Sequence, residues 1–337
     1  MRIIVTGGCG FIGTHIIKKL INKNNNIIMN IDALKYCSMP ESLLSYKFKK
    51  NYIFKKIDLN NYKILNKSIK DFKPQLIFHA AAESHVDNSI SDPDPFLSSN
   101  IIGTYNLLKI INNSNFKNKI KFLHISTDEV YGSLKNNKIN SFLENSKFKP
   151  NSPYSASKAC SDLLVRAWNK TFNIQTIITN CVNNFGPWQF PEKLIPVVIN
   201  ACLNDSKIPV YGSGKNIREW IYVNDHVDCL IALSKKGKIG ETYNIGSGYE
   251  LSNLSLIKKI CKYMDKKFPL KKPYYKLVKF VSDRPAHDFR YSLNTKKINK
   301  VIKMKKLNNF DKHLEITIDW YLKNYQWMTN KLKNKSV

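Results

Sequence analysis

The first 180 residues alternate short apolar runs with helix-like stretches, and this alternation constrains the fold more than any other feature of the chain. The predicted strands lie at 2–6, 26–31, 52–57, 75–80, 119–126 and 175–180. The predicted helices lie near 11–23, 62–72, 93–113 and 152–172. Such alternation predicts an α/β fold with a parallel sheet covered on both faces, and right-handed crossovers make the sheet doubly wound. Ligands of such sheets bind beyond the carboxyl ends of the strands.

Composition narrows the class of protein further. The chain has 337 residues, 43% of them hydrophobic, which is enough for one large domain or two smaller ones. No apolar run is long enough to cross a bilayer, and the opening MRIIVTGG lacks the features of a signal peptide. We therefore expect a cytoplasmic protein without a membrane partner. The seven cysteines show no CxxC pair and no zinc spacing, so we expect reduced thiols and no metal site.

The net charge of +29 raises the possibility of a nucleic-acid partner. However, only five of the 54 basic residues are arginine, and the lysines are spread along the chain instead of being gathered in one arm. The sequence also lacks zinc-finger and RRM signatures. We expect a solvated lysine-rich surface and no nucleic-acid binding.

The segment TGGCGFIG, residues 6–13, directly follows the first predicted strand and opens a helix. Glycines in this position permit a tight turn and let the backbone approach a pyrophosphate at the helix N-terminus. Asp32 ends the second predicted strand, where an acid can hold ribose hydroxyls and repel a 2′-phosphate. The pattern predicts a Rossmann-type half that binds NAD rather than NADP. Asp58, after the third strand, is a candidate for the adenine region.

The segment YSASK places Tyr154 and Lys158 four residues apart, so the two side chains share one face of a helix. A lysine ammonium beside a phenol stabilises the phenolate and lowers its pKa. The pair could then take a hydroxyl proton while hydride leaves the same carbon. An ordinary exposed Tyr/Lys pair is the alternative. The preceding nucleotide-binding half favours the catalytic interpretation.

The segment HISTDEVYG, residues 124–132, places Thr127, Asp128 and Glu129 in a row where a buried strand is predicted to end. Consecutive side chains of a regular strand point to opposite faces, so two adjacent acids at this edge require an explanation. A capping or salt-bridging pair is the structural alternative to a catalytic one.

Together, TGxxGxxG and YxxxK resemble the extended short-chain dehydrogenase/reductase family, whose members act on nucleotide sugars. Within that family the chain resembles the nucleoside-diphosphate-glucose 4,6-dehydratases. The shared segments are GGCGFIG, AAESHVD, HISTDEVYG, SPYSASK, NCVNNFGPWQFPEKLIP, IREWIYVNDH, ETYNIG and DRPAHDFRY. These segments cover essentially the whole chain, and STDEVYG and PEKLIP are quite specific.

The resemblance implies a role for each residue of the two motifs. Tyr154 would take the C4 hydroxyl proton while NAD accepts hydride, and Thr127 would hydrogen-bond the C4 oxygen. The new ketone acidifies the C5 proton, which Glu129 would remove as Asp128 protonates the C6 hydroxyl. Two carboxyl groups in different environments can hold these two states. Epimerases of the same superfamily usually have serines here, so the acids favour dehydration.

The resemblance also implies the binding residues. Those expected at the cofactor are Gly7, Gly10, Phe11, Ile12, Gly13, Asp32, Asp58, Leu59, Ala82, Tyr154, Lys158 and Asn184. Those expected at the substrate are Ser84, Thr127, Asn183, Lys193, Leu194, Val210, Tyr211, Arg218, Asn253 and Arg284. The arginines have a chemical reason as well, because a planar guanidinium suits phosphate oxygens.

Four positions depart from the family pattern: Cys9, Asn88, Phe185 and Ala286 stand where alanine, arginine, tyrosine and glycine are usual. None of these changes removes a proposed catalytic group. Phe185 and Ala286 are expected near the nucleotide end and bear on base specificity.

We expect two domains. Residues 1–180 with 224–247 would bind NAD, and residues 181–223 with 248–337 would form a smaller α/β domain for the nucleotide sugar. The expected substrate is dTDP-glucose, with UDP-glucose as the alternative, and the expected product is a precursor of rhamnose or another deoxysugar. The family also implies a homodimer paired through the helices near 93–113 and 152–172. An idle NAD-bound scaffold or a nucleic-acid-binding regulator is the rival of a different class.

Overall fold

The structure, a computed structural model, describes residues 1–23, 25–135, 140–302 and 309–333. The strands are β1 Arg2–Thr6, β2 Ile27–Asp32, β3 Tyr52–Lys56, β4 Leu76–His79, β5 Lys121–Thr127, β6 Gln175–Cys181, β7 Asn183–Phe185, β8 Ile208–Tyr211, β9 Ile217–Tyr222, β10 Thr242–Ile245, β11 Glu250–Ser252 and β12 Val278–Val281. The helices are α1 Phe11–Leu20, α2 Tyr62–Phe72, α3 Val86–Ser91, α4 Asp94–Phe96, α5 Gly103–Asn112, α6 Pro153–Phe172, α7 Leu194–Leu203, α8 Val223–Lys236, α9 Asn253–Lys267, α10 Lys296–Val301, α11 Phe310–Lys323 and α12 Tyr325–Lys333.

Seven of these strands form one parallel sheet in the order β3-β2-β1-β4-β5-β6-β10. The chain leaves β1 toward β2 and β3 on one side and returns through β4 to β5 and β6 on the other side. The strand order therefore reverses between β1 and β4, and a ligand crevice forms at such a reversal. The predicted doubly wound α/β fold is confirmed.

The strands are apolar because both faces of the sheet are covered by helices. One buried cluster joins β1, β5, α1 and α8 through residues such as Ile3, Leu123, Ile17 and Leu230. A second cluster on the opposite face joins the sheet to α2 and α5, and includes Leu107.

The helical run from α4 to α5 is widened in its middle, where Leu97–Ile102 is π-helical. Asn100 lies in this segment and is buried. Its amide donates to the Glu83 carbonyl at 3.0 Å and to Ser157 Oγ at 2.8 Å, and its oxygen accepts from the Glu83 N–H at 2.9 Å. The segment thereby ties the loop after β4 to α6.

Helix α6 begins with a capping box at Ser152 and Ser155, and Pro153 occupies its first turn. These features satisfy backbone donors at the helix start and fix where it begins. Tyr154 and Lys158 are therefore set in the first turns of the helix, beside the end of β5.

The remaining strands form two smaller sheets, β11-β9-β7 and β12-β8. They pack with α7, α9 and α11 around a third cluster that includes Ile199, Ile260 and Ile318. Leu293 and Ile298, which lie late in the chain, join the first cluster instead. The division into two domains stays a prediction.

Within the described ranges, none of the helices combines the length and the apolarity that crossing a membrane requires.

Candidate active site

The glycine turn after β1 forms the floor of the site. Gly7 has a left-handed φ of +65°, and a Cβ at Gly13 would lie 2.2 Å from the Gly7 carbonyl oxygen. Side chains are therefore excluded at Gly7 and Gly13. Helix α1 starts immediately afterwards with Gly10 as its N-cap and no side-chain cap, so its first N–H groups face the crevice. This arrangement fits the pyrophosphate of a dinucleotide.

Asp32 at the end of β2 is held next to this turn. Its carboxylate accepts hydrogen bonds from the Cys9 N–H at 2.9 Å, the Leu34 N–H at 2.8 Å and Ser38 Oγ at 2.8 Å. Asp58 lies two residues beyond β3, and its nearest cation is Lys35, 3.7 Å from the carboxylate. Both acids line one cavity, whose other predicted members are Gly7, Gly10, Leu59 and Ala82. The residues present thus fit a dinucleotide with free ribose hydroxyls.

A neighbouring cavity contains the other predicted cofactor residues and the catalytic ones. It is lined by Phe11, Ile12, Gly13, Thr127, Asp128, Glu129, Tyr154, Lys158 and Asn184. The sequence separates these residues by more than 170 positions, and the fold brings them together at the carboxyl edge of the sheet.

The structure explains how two adjacent acids can share this edge. Strand β5 ends at Thr127, and Asp128–Tyr131 forms a 3-10 helix, so the acids have left strand geometry. Thr127 caps that helix, because its Oγ1 accepts the Glu129 N–H at 3.3 Å. The same hydroxyl donates to Asp128 Oδ1 at 3.2 Å.

The two carboxyl groups lie in different electrostatic surroundings. Burial raises the pKa of Asp128 well above its usual range, and the charge of Glu129 adds to that shift. Burial also raises the pKa of Glu129, but Arg284 and Arg218 oppose the shift. Asp128 is therefore suited to hold a proton and Glu129 to lose one.

Tyr154 and Lys158 are both buried and share the cavity with Thr127. Burial raises the pKa of Tyr154 well above its usual value, the charge of Glu129 adds to this, and a hydrogen bond with Thr127 lowers it. The expected lowering of the phenol pKa is therefore wrong for the protein alone. The Lys158 ammonium donates to the Ile125 carbonyl at 2.9 Å, and burial lowers its own pKa.

A third cavity begins at Glu129 and extends to the smaller sheets. Nine of the ten predicted substrate residues line it: Ser84, Asn183, Lys193, Leu194, Val210, Tyr211, Arg218, Asn253 and Arg284. The tenth, Thr127, lines the catalytic cavity. Lys193 Nζ donates to the Ser84 carbonyl at 3.0 Å, and Arg284 lies 3.5 Å from Asp87. Arg218 stacks over the Tyr291 ring, 4.5 Å from its centroid.

Sequence reasoning missed several residues that line these cavities. Glu192 lines both the catalytic and the substrate cavity, and Tyr36 donates to its carboxylate at 3.1 Å. Tyr291 and His287 line the substrate cavity. Glu192 lies in the motif PEKLIP, and Tyr291 lies in DFRY. Their position next to predicted site residues could have identified them from the sequence.

The structure shows the surroundings of two of the departures from the family pattern. Phe185 is only 1% exposed, and its ring packs 5.1 Å from that of Phe310 in the third cluster. Phe185 lines neither the catalytic nor the substrate cavity, so its expected effect on base specificity stays a prediction. Ala286 is exposed and has a left-handed φ of +51°, a conformation that favours the glycine usual there.

Among the described residues, no group of three or more His, Cys, Asp or Glu side chains is placed to hold a metal ion.

The doubly wound sheet, the glycine turn with Asp32, and Tyr154 and Lys158 on one helix define a nicotinamide-dinucleotide enzyme of the short-chain dehydrogenase/reductase class. The sequence matches the family described as GDP-mannose 4,6 dehydratase over residues 4–317, and the chain belongs to this family.

Curated relatives are similar over nearly their whole length. The chain is 42% identical to dTDP-glucose 4,6-dehydratase 1 of Escherichia coli K12, covering 98% of this chain and 95% of that protein. It is 41% identical to dTDP-glucose 4,6-dehydratase of Neisseria meningitidis, covering 98% of this chain and 96% of that protein. The predicted family resemblance is confirmed.

Solved structures agree with this relationship. The Bacillus anthracis dTDP-glucose 4,6-dehydratase in complex with NAD is 37% identical, with a TM-score of 0.88 over 98% of this chain and 99% of that chain. The Streptomyces venezuelae dTDP-glucose 4,6-dehydratase with NAD and TYD bound is 35% identical, with a TM-score of 0.91 over 98% of this chain and 100% of that chain.

The contacts of Asp32 predict which dinucleotide the protein carries. A carboxylate fixed by the glycine turn repels a 2′-phosphate, so denaturing the purified protein should release NAD(H), identified by chromatography. Asp32→Asn should weaken the discrimination against NADP, whereas Asp58→Asn, expected at the adenine end, should leave it in place. Recovery of mainly NADP(H) from the unchanged protein would contradict the assignment.

Proposed function

We propose that this chain is an NAD-dependent dTDP-glucose 4,6-dehydratase, a hydro-lyase that forms dTDP-4-keto-6-deoxyglucose. The observation that carries the proposal is the pair of adjacent acids, the buried Asp128 and the half-buried Glu129, which differ in the charges that act on their pKa values. Burial and a second carboxylate raise the pKa of Asp128, whereas two arginines oppose the rise that burial causes at Glu129. An enzyme that only oxidises or epimerises C4 has no use for both groups. A scaffold without activity would have no use for them either.

The binding residues support a nucleoside diphosphate. Arg218, Arg284 and Lys193 line the substrate cavity and would hold the diphosphate. The sugar would then lie between this cavity and the catalytic one, beside Glu129, which lines both. NAD, held by the glycine turn and Asp32, supplies when bound the oxidant for C4 and the reductant for C6.

The chain's own groups move the protons. Tyr154 takes the proton of the C4 hydroxyl, and Thr127 donates a hydrogen bond to the C4 oxygen. The C4 ketone acidifies C5, and Glu129 removes that proton. Asp128 gives its proton to the C6 hydroxyl, which leaves as water, and the C5–C6 double bond forms. Once C6 has been reduced, the protonated Glu129 would return a proton to C5, which gives the 4-keto-6-deoxy sugar.

Direct turnover tests the proposal. The purified protein, with no added cofactor, should convert dTDP-glucose to a product lighter by one water in mass spectrometry. UDP-glucose in a parallel reaction tests the choice of base. Failure to dehydrate either sugar would refute the enzyme assignment, and dehydration of UDP-glucose alone would refute the thymidine preference.

Glu129→Gln should separate oxidation from elimination. The amide keeps the shape but cannot accept the C5 proton, so product formation should fall by about 10²–10⁴-fold. Oxidation at C4 uses Tyr154 and should persist, so quenched reactions should contain sugar that has lost hydrogen but not water. Solvent deuterium entry at C5 should fall with the product.

Tyr154→Phe is the matched control for this experiment. It should suppress the oxidised sugar itself, because the C4 proton then has no acceptor. If Glu129→Gln keeps turnover within about threefold of the unchanged enzyme, far from the loss expected for a general base, Glu129 is not the base.

We also propose that the protein is a cytoplasmic homodimer paired through α5 and α6. Leu107 and Leu108 on α5 are fully buried against the sheet and are not available for an interface. Leu163 on α6 is 54% exposed and Ile102 at the start of α5 is 49% exposed. These two residues are therefore the apolar candidates for the contact.

Light scattering at micromolar concentration should give the dimer mass for the unchanged protein. Leu163→Glu should shift it toward the monomer, because a charge would be buried in the interface. Phe48→Glu, at a side chain 90% exposed, serves as a control and should leave the mass unchanged. A monomer mass for the unchanged protein would refute the dimer.

A further inference from the structure

The face of α6 that carries Tyr154 and Lys158 continues to a third ionisable residue, Asp162. The spacing is again four residues, so Lys158 and Asp162 are neighbours on the helix surface. Asp162 is 2% exposed and lines neither the catalytic nor the substrate cavity. The mechanism derived above does not use it.

One amide connects Asp162 to the catalytic turn. Asn180 Nδ2 on β6 donates to Asp162 Oδ2 at 3.0 Å and to the Thr127 carbonyl at 3.1 Å. The Asn180 oxygen accepts from the Tyr131 hydroxyl at 3.2 Å. Asn180 therefore links the Asp162 carboxylate, on the helix of Tyr154, to the turn that carries Asp128.

A buried carboxylate requires a compensating charge. Polar and titratable groups from every element packed against Asp162 and Lys158 face this pair. They are Tyr154 and Ser161 on α6, His79 on β4, His124 and Ser126 on β5, Asn180 and Cys181 on β6, and Asp128 and Tyr131 after β5. His124 Nε2 is the nearest nitrogen to Asp162 Oδ1, at 3.1 Å.

The histidines do not supply the charge. Burial lowers the pKa of both His79 and His124 well below the usual value, and the charge of Lys158 lowers it further. Cys181 is a neutral thiol, since burial raises its pKa to about 12. The remaining cation is Lys158, one helical turn before Asp162. Its ammonium donates to the Ile125 carbonyl at 2.9 Å and acts on the Asp162 carboxylate as a nearby charge instead of a direct ion pair.

We propose that Asp162 is a positioning residue for the reaction at C4: its carboxylate keeps Lys158 in the charged ammonium form, and through Asn180 it fixes the carbonyl of Thr127. The inference rests on the proposed function, in which Lys158 assists Tyr154. It extends the predicted YxxxK motif by one more helical turn in this chain.

Electrostatics agree with this geometry. Burial lowers the pKa of Lys158, and Asp162 is the largest influence in the opposite direction. Burial raises the pKa of Asp162 from its ordinary 3.8 to about 6, so the group is ionised at neutral pH. Without that charge, Lys158 would lose its proton at lower pH, and a neutral amine cannot stabilise a phenolate.

Stability alone does not account for a charge at this position. A folded-state pKa raised above the unfolded value means that the folded protein binds the proton more tightly. The contribution to stability is therefore present below the ordinary pKa and is lost as the pH rises toward 6. Asparagine could accept the Asn180 hydrogen bond without this cost, so the charge itself needs a function.

The test compares Asp162→Asn, Asp162→Glu and the unchanged holoenzyme in kcat and KM for dTDP-glucose as a function of pH. Asp162→Asn should lower kcat at neutral pH by about 10- to 100-fold, the order of loss seen when a supporting group is removed. KM should stay within about threefold. The alkaline limb of the kcat profile should move to lower pH, because the form with charged Lys158 is lost earlier. Asp162→Glu should restore the position of that limb.

Asp225→Asn is the matched control. Asp225 is a half-buried carboxylate on α8 whose pKa is also raised by burial, and it faces His313 at 3.6 Å. Its loss should change neither kcat nor the alkaline limb. A uniform fall of kcat in Asp162→Asn with an unmoved limb would indicate a structural role only and would overturn the proposal.

A second readout does not depend on turnover. In protein labelled with ¹³C-lysine, the Lys158 signal can be assigned by its absence in Lys158→Arg, and NMR titration gives its pKa directly. That pKa should be lower in Asp162→Asn than in the unchanged protein. Equal values would overturn the proposal even if dTDP-glucose proves not to be the substrate, so the two failures remain distinguishable.

Should Asp162→Asn not fold, Asp162→Ser, which leaves room for a water beside Asn180, carries the same expectations.

Discussion

The burial of ionisable groups at the carboxyl edge of the seven-stranded sheet is the constraint on which the rest of the site depends. Asp128, Tyr154 and Lys158 have almost no contact with solvent. Removing an ion from water costs several kcal/mol unless the protein replaces the lost hydration. Each group is therefore either neutral or near a compensating charge. The neighbouring charged residues determine which of the two states it adopts. Arginines face Glu129, a second acid faces Asp128, and Asp162 is near Lys158. These neighbours determine which of the groups in this small volume donates a proton and which accepts one.

The sheet makes this arrangement possible because parallel strands end at one edge. The glycine turn after β1, Asp32 after β2 and Thr127 at the end of β5 lie far apart in sequence but close in the crevice where the strand order reverses. The strand that carries Thr127 must end before Asp128. If the strand continued, the side chains of Asp128 and Glu129 would point to opposite faces, and one of them would enter the core. The 3-10 helix capped by Thr127 provides that stop.

Much of this could be predicted from the sequence, because buried parallel strands read as continuous apolar runs and the glycine motif has a fixed place after the first of them. Predicted and observed bounds of β1 and α2 coincide, at 2–6 and 62–72. The π-helical Leu97–Ile102 could not be predicted, because the bonds of Asn100 go to Glu83 and Ser157, which are distant in sequence. The sequence predicted the wrong direction for the pKa shift of Tyr154 for a related reason. The sequence shows the lysine four residues away, whereas the nearby Glu129 and the degree of burial are properties of the fold.

Arginine in this lysine-rich chain also reflects the requirement that a buried ion has fixed neighbours in place of water. Five arginines occur among 54 basic residues, and three of them, Arg218, Arg284 and Arg290, lie on the side of the smaller sheets. Arg290 is 1% exposed and forms a two-pronged pair with the Glu250 carboxylate at 2.6 and 2.7 Å. Arg218 donates to the Asp288 carbonyl at 2.9 Å while its plane covers Tyr291. A compact ammonium on a flexible stem cannot form the two-pronged pair, and it cannot lie flat on a ring while donating from its edge, because each arrangement needs a planar group with several fixed donors. Lysine suffices where the cation meets water or a single acceptor, as Lys158 does at the Ile125 carbonyl. Arg218 and Arg290 occupy positions where a buried cation is held in one orientation by its acceptors, and Arg218 does so at the substrate cavity.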